Sequence, residues 1–434
     1  MPTSYQSWGR FPSISQNACP IHWRSLSLPD TPDTVLPYGL GRSYGDVCLN
    51  DGGTVLTTRF INRFIDFDSQ TGILRCEAGV SLAEILELCV PQGWFLPTTP
   101  GTKFATIGGA IANDVHGKNH HRAGTFGRHV LQFELLRSDG SRRLCTPTSN
   151  EQYYAATIGG LGLTGLITWA EIQLKHIYHR AMQTESIQFI DLEEFFEISI
   201  QSDQEYEYTV AWIDCGSQGA KLGRGIFLRG NHIAKEDIPA KWHAPSRTLT
   251  MPVDLPSFVL NRWSVSAFNW VYYNKQRQKS VKNLTDYDPF FYPLDAILQW
   301  NRLYGKRGFL QYQLVVPYED HKIIKDILQT IAASGLSSFL AVLKTFGDLV
   351  SPGMLSFPRK GVTLALDFPI KGAATFELLE RLDEKVREAK GVVYPCKDAR
   401  ISARNFQAYY PQWTEFSQYI DPHFSSSFWR RVTE

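Results

Sequence analysis

The chain lacks long apolar runs. No stretch approaches the ~20 apolar residues of a spanning helix, and residues 1–16, MPTSYQSWGRFPSISQ, lack the apolar core of a secretory leader. The expected location is therefore cytoplasmic, with at most peripheral contact at the inner face of the cell membrane. Charge of one sign is missing too: 44 Lys and Arg stand against 43 Asp and Glu, a net +1. Such a balance creates no global field that would recruit nucleic acid, and none is expected as a partner. The seven cysteines are odd in number and widely spaced, without a CxxC pair. That argues against a disulfide framework and a structural zinc site. No HExxH frame and no GxGxxG opening a helix occurs, so neither a zincin nor a plain dinucleotide fold is indicated.

What is present is glycine, concentrated in three places. Residues 97–121 read PTTPGTKFATIGGAIANDVHGKNHH. Gly101, Gly108, Gly109 and Gly117 permit close approaches that a Cβ would block, and the run leaves no room for an ordinary amphipathic core helix. Residues 37–46, PYGLGRSYGD, follow a short apolar strand at Val35 and Leu36. Residues 158–165, IGGLGLTG, precede an alternating strand from Ile167 to Leu174. Backbone N–H groups in such loops can converge on a pyrophosphate.

Between the loops, Val55 to Thr57 and Ile73 to Glu77 read as strands joined past a turn at 68–72. Ser81 with Glu84 three residues on forms a capping box for a helix whose buried face carries Leu82, Ile85, Leu86 and Val90. A hairpin is expected around Asp139-Gly140. This is an α+β cofactor domain, expected over residues 1–178, with an irregular entry over 1–35.

From about residue 180 the glycine clusters stop. Strands are expected at Tyr208 to Ile213, Arg224 to Leu228, Leu310 to Val316, Ser338 to Leu343 and Gly361 to Phe368. Helices are expected at Asp191 to Gln201, Tyr318 to Ser334 and Ala373 to Lys390. Residues 179–391 thus read as a second α+β domain with an antiparallel sheet flanked by helices. Within it, 255–305 reads as a partly buried loop, aromatic and edged by Lys275, Arg277, Lys279 and Lys282, the expected place for membrane contact. Residues 392–434 open with a strand and return to the first domain.

The three glycine loops, in this order and context, resemble the FAD-binding domain of the vanillyl-alcohol-oxidase type of flavoprotein. GLGRSYGD, GGAIANDVHGKNHHRAGTFG, FLQYQLVVP, LKTFG, LDFPIKG and CKDAR narrow the resemblance to its decaprenylphosphoryl-β-D-ribose 2-oxidase branch. The resemblance implies a two-domain flavoenzyme that oxidises the 2-hydroxyl of a polyprenyl-phosphoryl-β-D-ribofuranose. Such an enzyme passes a hydride to flavin N5, and a separate NAD(P)H-dependent keto-reductase completes the epimerisation to an arabinose donor of the cell envelope. Many relatives tether flavin to a histidine where this chain has Gly41-Arg42-Ser43, so FAD is expected to be non-covalent.

By the resemblance, FAD lies against Tyr38, Gly39, Gly41, Arg42, Ser43, Tyr44 and Gly45 of the first loop. The second loop contributes Pro100, Gly101, Thr102, Thr106, Gly108, Gly109, Asn113, His116 and Gly117, and the third Gly160, Gly162, Gly165 and Ile167. Tyr394 joins them from the C-terminal segment. Substrate is expected at Tyr44, His116, Lys118, Trp212, Gln311 and Gln313, and at Lys344, Thr363, Ala365 and Lys397. Lys397, Tyr394 and His116 are the catalytic candidates, Lys397 as a charge stabiliser or base and Tyr394 as a competing proton acceptor. Ala365 stands where mycobacterial members carry a cysteine, and Thr363 where an asparagine is usual, which leaves the shape of the substrate site open. Three alternatives remain: a flavoenzyme acting on a free sugar, alditol or sugar lactone, a metal-dependent hydrolase using His116, His120 and His121, and a non-catalytic carbohydrate-binding protein that has lost its flavin. With only Asp114 nearby, no metal is expected.

Overall fold

The computed structural model describes residues 5–238, 241–242, 248–256 and 258–434. The first half holds two sheets. A three-stranded parallel sheet places Thr54–Thr57 between Asn17–Pro20 and Val35–Tyr38. The first of these strands lies within the stretch expected to be irregular. A five-stranded antiparallel sheet runs Phe64–Asp68, Ile73–Glu77, Leu166–Gln173, Val130–Leu136, Arg142–Cys145.

Leu82–Cys89 is the expected helix. The Ser81 hydroxyl accepts from the Glu84 N–H, and the Glu84 carboxylate accepts from the Ser81 N–H in return. The arrangement satisfies orphan amide groups at the helix start and contributes about 1 kcal/mol. The glycine-rich stretch 97–121 differs from expectation: Ile107–Ala112 forms a short helix capped by the Thr106 hydroxyl. Gly108 puts its backbone against Ala78 and Gly109 lies beside the Thr106 hydroxyl, while Ile107, Ala110 and Ile111 are buried.

The second half is built on an eight-stranded antiparallel sheet. Its order is Ser280–Asp286, Ala181–Phe189, Gly225–His232, Tyr208–Ile213, Ala341–Phe346, Gly361–Pro369, Phe309–Val316, Val392–Val393. Successive side chains alternate faces. Ala211, Ile213, Tyr312, Leu314, Leu343 and Leu364 join one core with Leu192–Glu205, Ile323–Ser334 and Ala373–Glu388. Their sequence neighbours Trp212, Gln311, Gln313, Lys344, Thr363 and Ala365 therefore face away from the helices, into a cavity.

Two expectations about this half are corrected. The helix expected from Tyr318 begins at Ile323, after a short tight turn at Tyr318–Asp320. Residues 255–305 are not a loop: they contain a 13-residue helix, Arg262–Asn274, and the edge strand Ser280–Asp286. Asn261 caps that helix by accepting from the N–H groups of Trp263 and Ser264. Lysines along 275–282 masked the strand, because an edge strand needs only one covered face and tolerates charge.

After Val392–Val393 the chain crosses back. The Cys396 carbonyl accepts from the Tyr44 N–H at 2.9 Å, and the His423 carbonyl from the Val35 N–H at 2.8 Å. Buried Asp398 and Asp46 both accept from Arg431, stitching the terminus to the first loop. Lys397 is thereby carried to Tyr44.

Candidate active site

A cavity of about 1170 Å³ runs between the glycine loops and the exposed face of the large sheet. It exceeds the ~300–1,000 Å³ that suits a drug-sized ligand. All three loops line it, through Gly39, Gly41, Gly108, Gly109, Gly162 and Gly165. Their close packing has little tolerance. A Cβ on Gly39 would meet the Thr106 hydroxyl at 2.5 Å, removing the helix cap, and Gly41 is left-handed at φ +60°.

Arg42 of the first glycine loop lines the cavity. Its guanidinium lies 4.3 Å from the Trp8 ring centroid and donates to the Leu40 carbonyl at 2.6 Å. Of the expected loop residues, Tyr38, Gly45 and Gly160 do not reach the cavity. The Tyr38 hydroxyl donates to the Gln6 carbonyl at 2.6 Å, Gly45 packs on the Asp398 carbonyl, and Gly160 packs on Ala156. They shape the loops from behind. The remaining expected cofactor and substrate positions all line the cavity, joined by Trp8, Cys48, Phe104, Leu161 and Cys396, which the sequence reading passed over.

Polar groups gather where the loops meet the sheet. His116 is buried, with its Nε2 2.9 Å from Gln313 Nε2. An amide N–H donates there, so the imidazole proton sits on Nδ1, which has no partner among the described residues. Burial and the neighbouring Lys344 hold His116 far below the usual histidine pKa, so it is neutral. Gln313 also donates to Thr363 Oγ1 at 3.2 Å.

Gln311 donates to buried Asp367 at 2.5 Å and leaves its own Oε1 unpartnered. Burial pushes the Asp367 carboxyl up to about 7, against the pull of Gln311 and Lys397. Asp367 was missed because it reads as one more residue of an apolar strand.

Three lysines share this end. Lys397 Nζ lies 3.8 Å from the Tyr44 ring centroid, and burial lowers its pKa from the usual lysine value. Lys344 donates to the Gly117 carbonyl at 3.3 Å; burial, Lys118 and Lys397 bring it to about 7. Lys118 donates to the Phe291 carbonyl at 3.1 Å and burial lowers it to about 8. Burial of this kind disfavours the ammonium form, and an anion placed beside these lysines would restore it.

Tyr394 donates to the Asn113 carbonyl at 2.7 Å, and burial raises its pKa well above the usual phenol value. It stands as a neutral phenol, which disfavours it as a proton acceptor. The other histidines of the cluster turn elsewhere. His120 is buried against Phe346 at 4.5 Å, its pKa lowered to about 3, and His121 Nε2 meets the Tyr206 carbonyl at 3.0 Å. Asp114 is buried and accepts from the hydroxyls of Ser351 and Ser356. The four side chains do not converge, so the hydrolase alternative has no geometry behind it.

The residues fit a bound flavin dinucleotide. Glycine backbones line one wall, and Asn113 Oδ1, His116 Nδ1 and Gln311 Oε1 are buried polar atoms without partners on that wall or beside it. A buried polar atom left unpaired costs about 1–3 kcal/mol, so such atoms mark the place of a ligand.

The comparisons with known proteins agree. A family model described as an FAD binding domain matches residues 29–146. The decaprenylphosphoryl-β-D-ribose oxidase of Mycolicibacterium smegmatis is 39% identical over 421 residues, covering 92% of this chain and 89% of that protein. The chain belongs to the decaprenylphosphoryl-β-D-ribose oxidase family. An uncharacterised Streptomyces coelicolor protein is 31% identical over 81% of this chain and 100% of its own length. Cytokinin dehydrogenase 8 of Oryza sativa is 28% identical over 35% of this chain.

The second match spans the whole relative, so the similarity extends well beyond the residues matched by the FAD binding domain. Membership of the oxidase family, with its FAD binding domain, makes the chain an FAD-dependent oxidoreductase of the vanillyl-alcohol-oxidase type. No helix among the described residues is long and apolar enough to cross a membrane.

Proposed function

We propose that the chain oxidises the 2-hydroxyl of a polyprenyl-phosphoryl-β-D-ribofuranose to the 2-keto sugar, the first half of an epimerisation. Identity with the Mycolicibacterium smegmatis oxidase supports the substrate class. The observation that carries the reading is the trio Lys118, Lys344 and Lys397, which converge on one end of the cavity from the second glycine loop, the large sheet and the C-terminal segment, beside unpartnered acceptors and a neutral imidazole. Lysines desolvated in this way suit a phosphoryl group, and a free pentose would leave them unpaired.

FAD, when bound, supplies the hydride acceptor, and it is proposed to be non-covalent because Arg42 replaces the tethering histidine. The Oε1 of Gln311, held outward by the Gln311–Asp367 hydrogen bond, accepts from a sugar hydroxyl. Nδ1–H of His116 donates to a ligand oxygen. Lys397 faces the reacting hydroxyl. As the amine, favoured by its lowered pKa, it takes the hydroxyl proton; as the ammonium it stabilises developing negative charge on that oxygen. The sheet wall orients the carbinol C–H, which supplies most of the advantage.

The product ketone requires a separate hydride donor for its reduction, so an NAD(P)H-dependent keto-reductase is the proposed partner. The test is anaerobic mixing of the yellow holoenzyme with a short-chain prenyl-phosphoryl ribose and, separately, with free pentoses, alditols and lactones. Bleaching of the oxidised-flavin band by the phosphoryl sugar alone is expected. Equal bleaching by a free sugar would refute the proposal in favour of the free-sugar alternative.

A further inference from the structure

We infer that the helix Arg262–Asn274 is an interfacial anchor that seats the cavity rim on an anionic phospholipid bilayer. The inference rests on the lipid-linked substrate class proposed above. The helix is apolar on two opposite faces. At 3.6 residues per turn, Val265, Phe268, Asn269 and Tyr272 share its inner side. Val265 and Asn269 are buried, and Asn269 donates to Asp214 at 2.9 Å. Phe268 packs edge-on to Phe339 at 5.6 Å, and Tyr272 meets Trp212 at 4.7 Å. Phe268 and Tyr272 also line the cavity.

The outer side carries Trp263, Trp270 and Val271, exposed by 81%, 61% and 58%. Phe258, just before the helix, is 75% exposed. A soluble fold has no reason to present two tryptophans this way on a helix already anchored from its other side. Tryptophan prefers the headgroup level of a bilayer, where its ring and its N–H are both satisfied.

Charge selects the occupant. Residues 255–285 contain five Lys or Arg and neither Asp nor Glu, in a chain whose net charge as a whole is only +1. Lys279 pairs with Glu194, whereas Arg262, Lys275, Arg277 and Lys282 make no ion pair among the described residues. A bare basic stretch beside exposed tryptophans matches an anionic lipid surface.

The cavity reaches solvent at the same place. Exposed Lys275, Arg277 and Gln278, directly after the helix, belong to its lining. Ile297 and Leu298 line it as well, and they pair with the short strand Leu249–Thr250, whose Leu249 is 66% exposed. A prenyl tail leaving the cavity here passes from apolar protein to apolar lipid without crossing water, while its phosphate stays near the lysines.

Co-sedimentation of the full-length holoenzyme with vesicles tests the inference. Phosphatidylcholine vesicles are compared with mixed phosphatidylcholine and phosphatidylglycerol vesicles. Binding to the mixed vesicles is expected, with several-fold loss at about 1 M salt, where the screening length is ~3 Å. The double substitution Trp263→Ser, Trp270→Ser lies outside the cavity lining and should keep the flavin spectrum. It should lower vesicle binding about tenfold or more, since affinity scales with buried apolar area. It should slow turnover of long-chain substrate in vesicles and leave turnover of a short-chain soluble substrate unchanged.

Vesicle binding unaffected by the substitution, or equal on neutral and anionic vesicles, overturns the inference. So does absence of vesicle binding by the parent protein, including the case where the double variant loses only coupling to a keto-reductase, which would make this face a protein dock. The substrate reading fails separately, by flavin bleaching with free sugars only, and that outcome leaves the vesicle result to stand or fall by itself.

Discussion

Lys397→Met removes the cation that lies over Tyr44 while leaving an apolar chain of similar length. The parent Nζ lies 3.8 Å from the Tyr44 ring centroid. A desolvated cation–π contact contributes about 2 kcal/mol, but the ammonium also carries a burial penalty, visible as its lowered pKa. These oppose each other, so stability should change by about 1 kcal/mol or less.

The backbone here does not depend on the side chain: the Lys397 N–H donates to the Tyr394 carbonyl at 3.0 Å, and Cys396 holds Tyr44. The glycine loops are untouched, so the protein should remain yellow. Flavin reduction by substrate is another matter. Loss of a donor aimed at developing charge costs about 2.7–4 kcal/mol, or roughly 10²–10³ in rate. Anaerobic stopped-flow mixing reads this directly, because it isolates the reductive half-reaction from the electron acceptor.

Lys397→Arg separates the two roles. Its guanidinium stays charged and cannot accept a proton. A variant as slow as Met identifies the amine as the base, and the parent rate should then fall as pH drops below the lowered Lys397 pKa. Partial rescue identifies charge as the contribution. A Met variant that reduces flavin within about threefold of the parent, roughly 0.65 kcal/mol, would remove Lys397 from the mechanism.

Asp367→Asn keeps an acceptor for the Gln311 amide but replaces a bond to a titratable carboxyl by a neutral one, which should cost about 1 kcal/mol in kcat/KM, with flavin content unchanged, measured by steady-state kinetics. The Asp367 pKa is raised from 3.8 to about 7, so the folded state binds the extra proton. Its contribution to stability should therefore fall as pH rises from 3.8 to about 7, and the Asn variant should show a flatter profile in denaturant titrations. Affinity for phosphoryl ligands should weaken as pH rises through the values near 7 and 8 of Lys344 and Lys118, because the anion favours their protonated forms. Calorimetry in buffers of different ionisation enthalpy should then show proton uptake on binding, and Lys344→Met should abolish most of it. Acid precipitation should leave the flavin in the supernatant, given Arg42 at the tethering position; a yellow pellet would show a covalent link elsewhere.

Local regularities were legible in the chain itself. Strands expected at 208–213, 310–316 and 361–368 are observed at Tyr208–Ile213, Phe309–Val316 and Gly361–Pro369. The Ser81–Glu84 box announced its helix, and the three glycine loops announced a cavity with a backbone wall. These are short-range effects: period, caps and backbone freedom act over a few residues and leave a mark on the sequence.

The site needed the fold. Nothing local distinguishes His116, which faces the cavity, from His120, which is buried on Phe346. Nor does anything local mark Tyr38, Gly45 and Gly160 as lying behind the loops. The Asp367–Gln311 pair spans 56 residues, the Gln313–His116 contact spans 197, and Tyr394 reaches Asn113 across 281. A helix of 13 residues hid in 255–305 because its outer face is aromatic and its inner face buries an asparagine, Asn269, beside Val265, so the polar–apolar alternation of a surface helix is absent. Burial and pairing of charge are set by which distant surfaces meet, and that is decided only when the large sheet packs against the glycine loops.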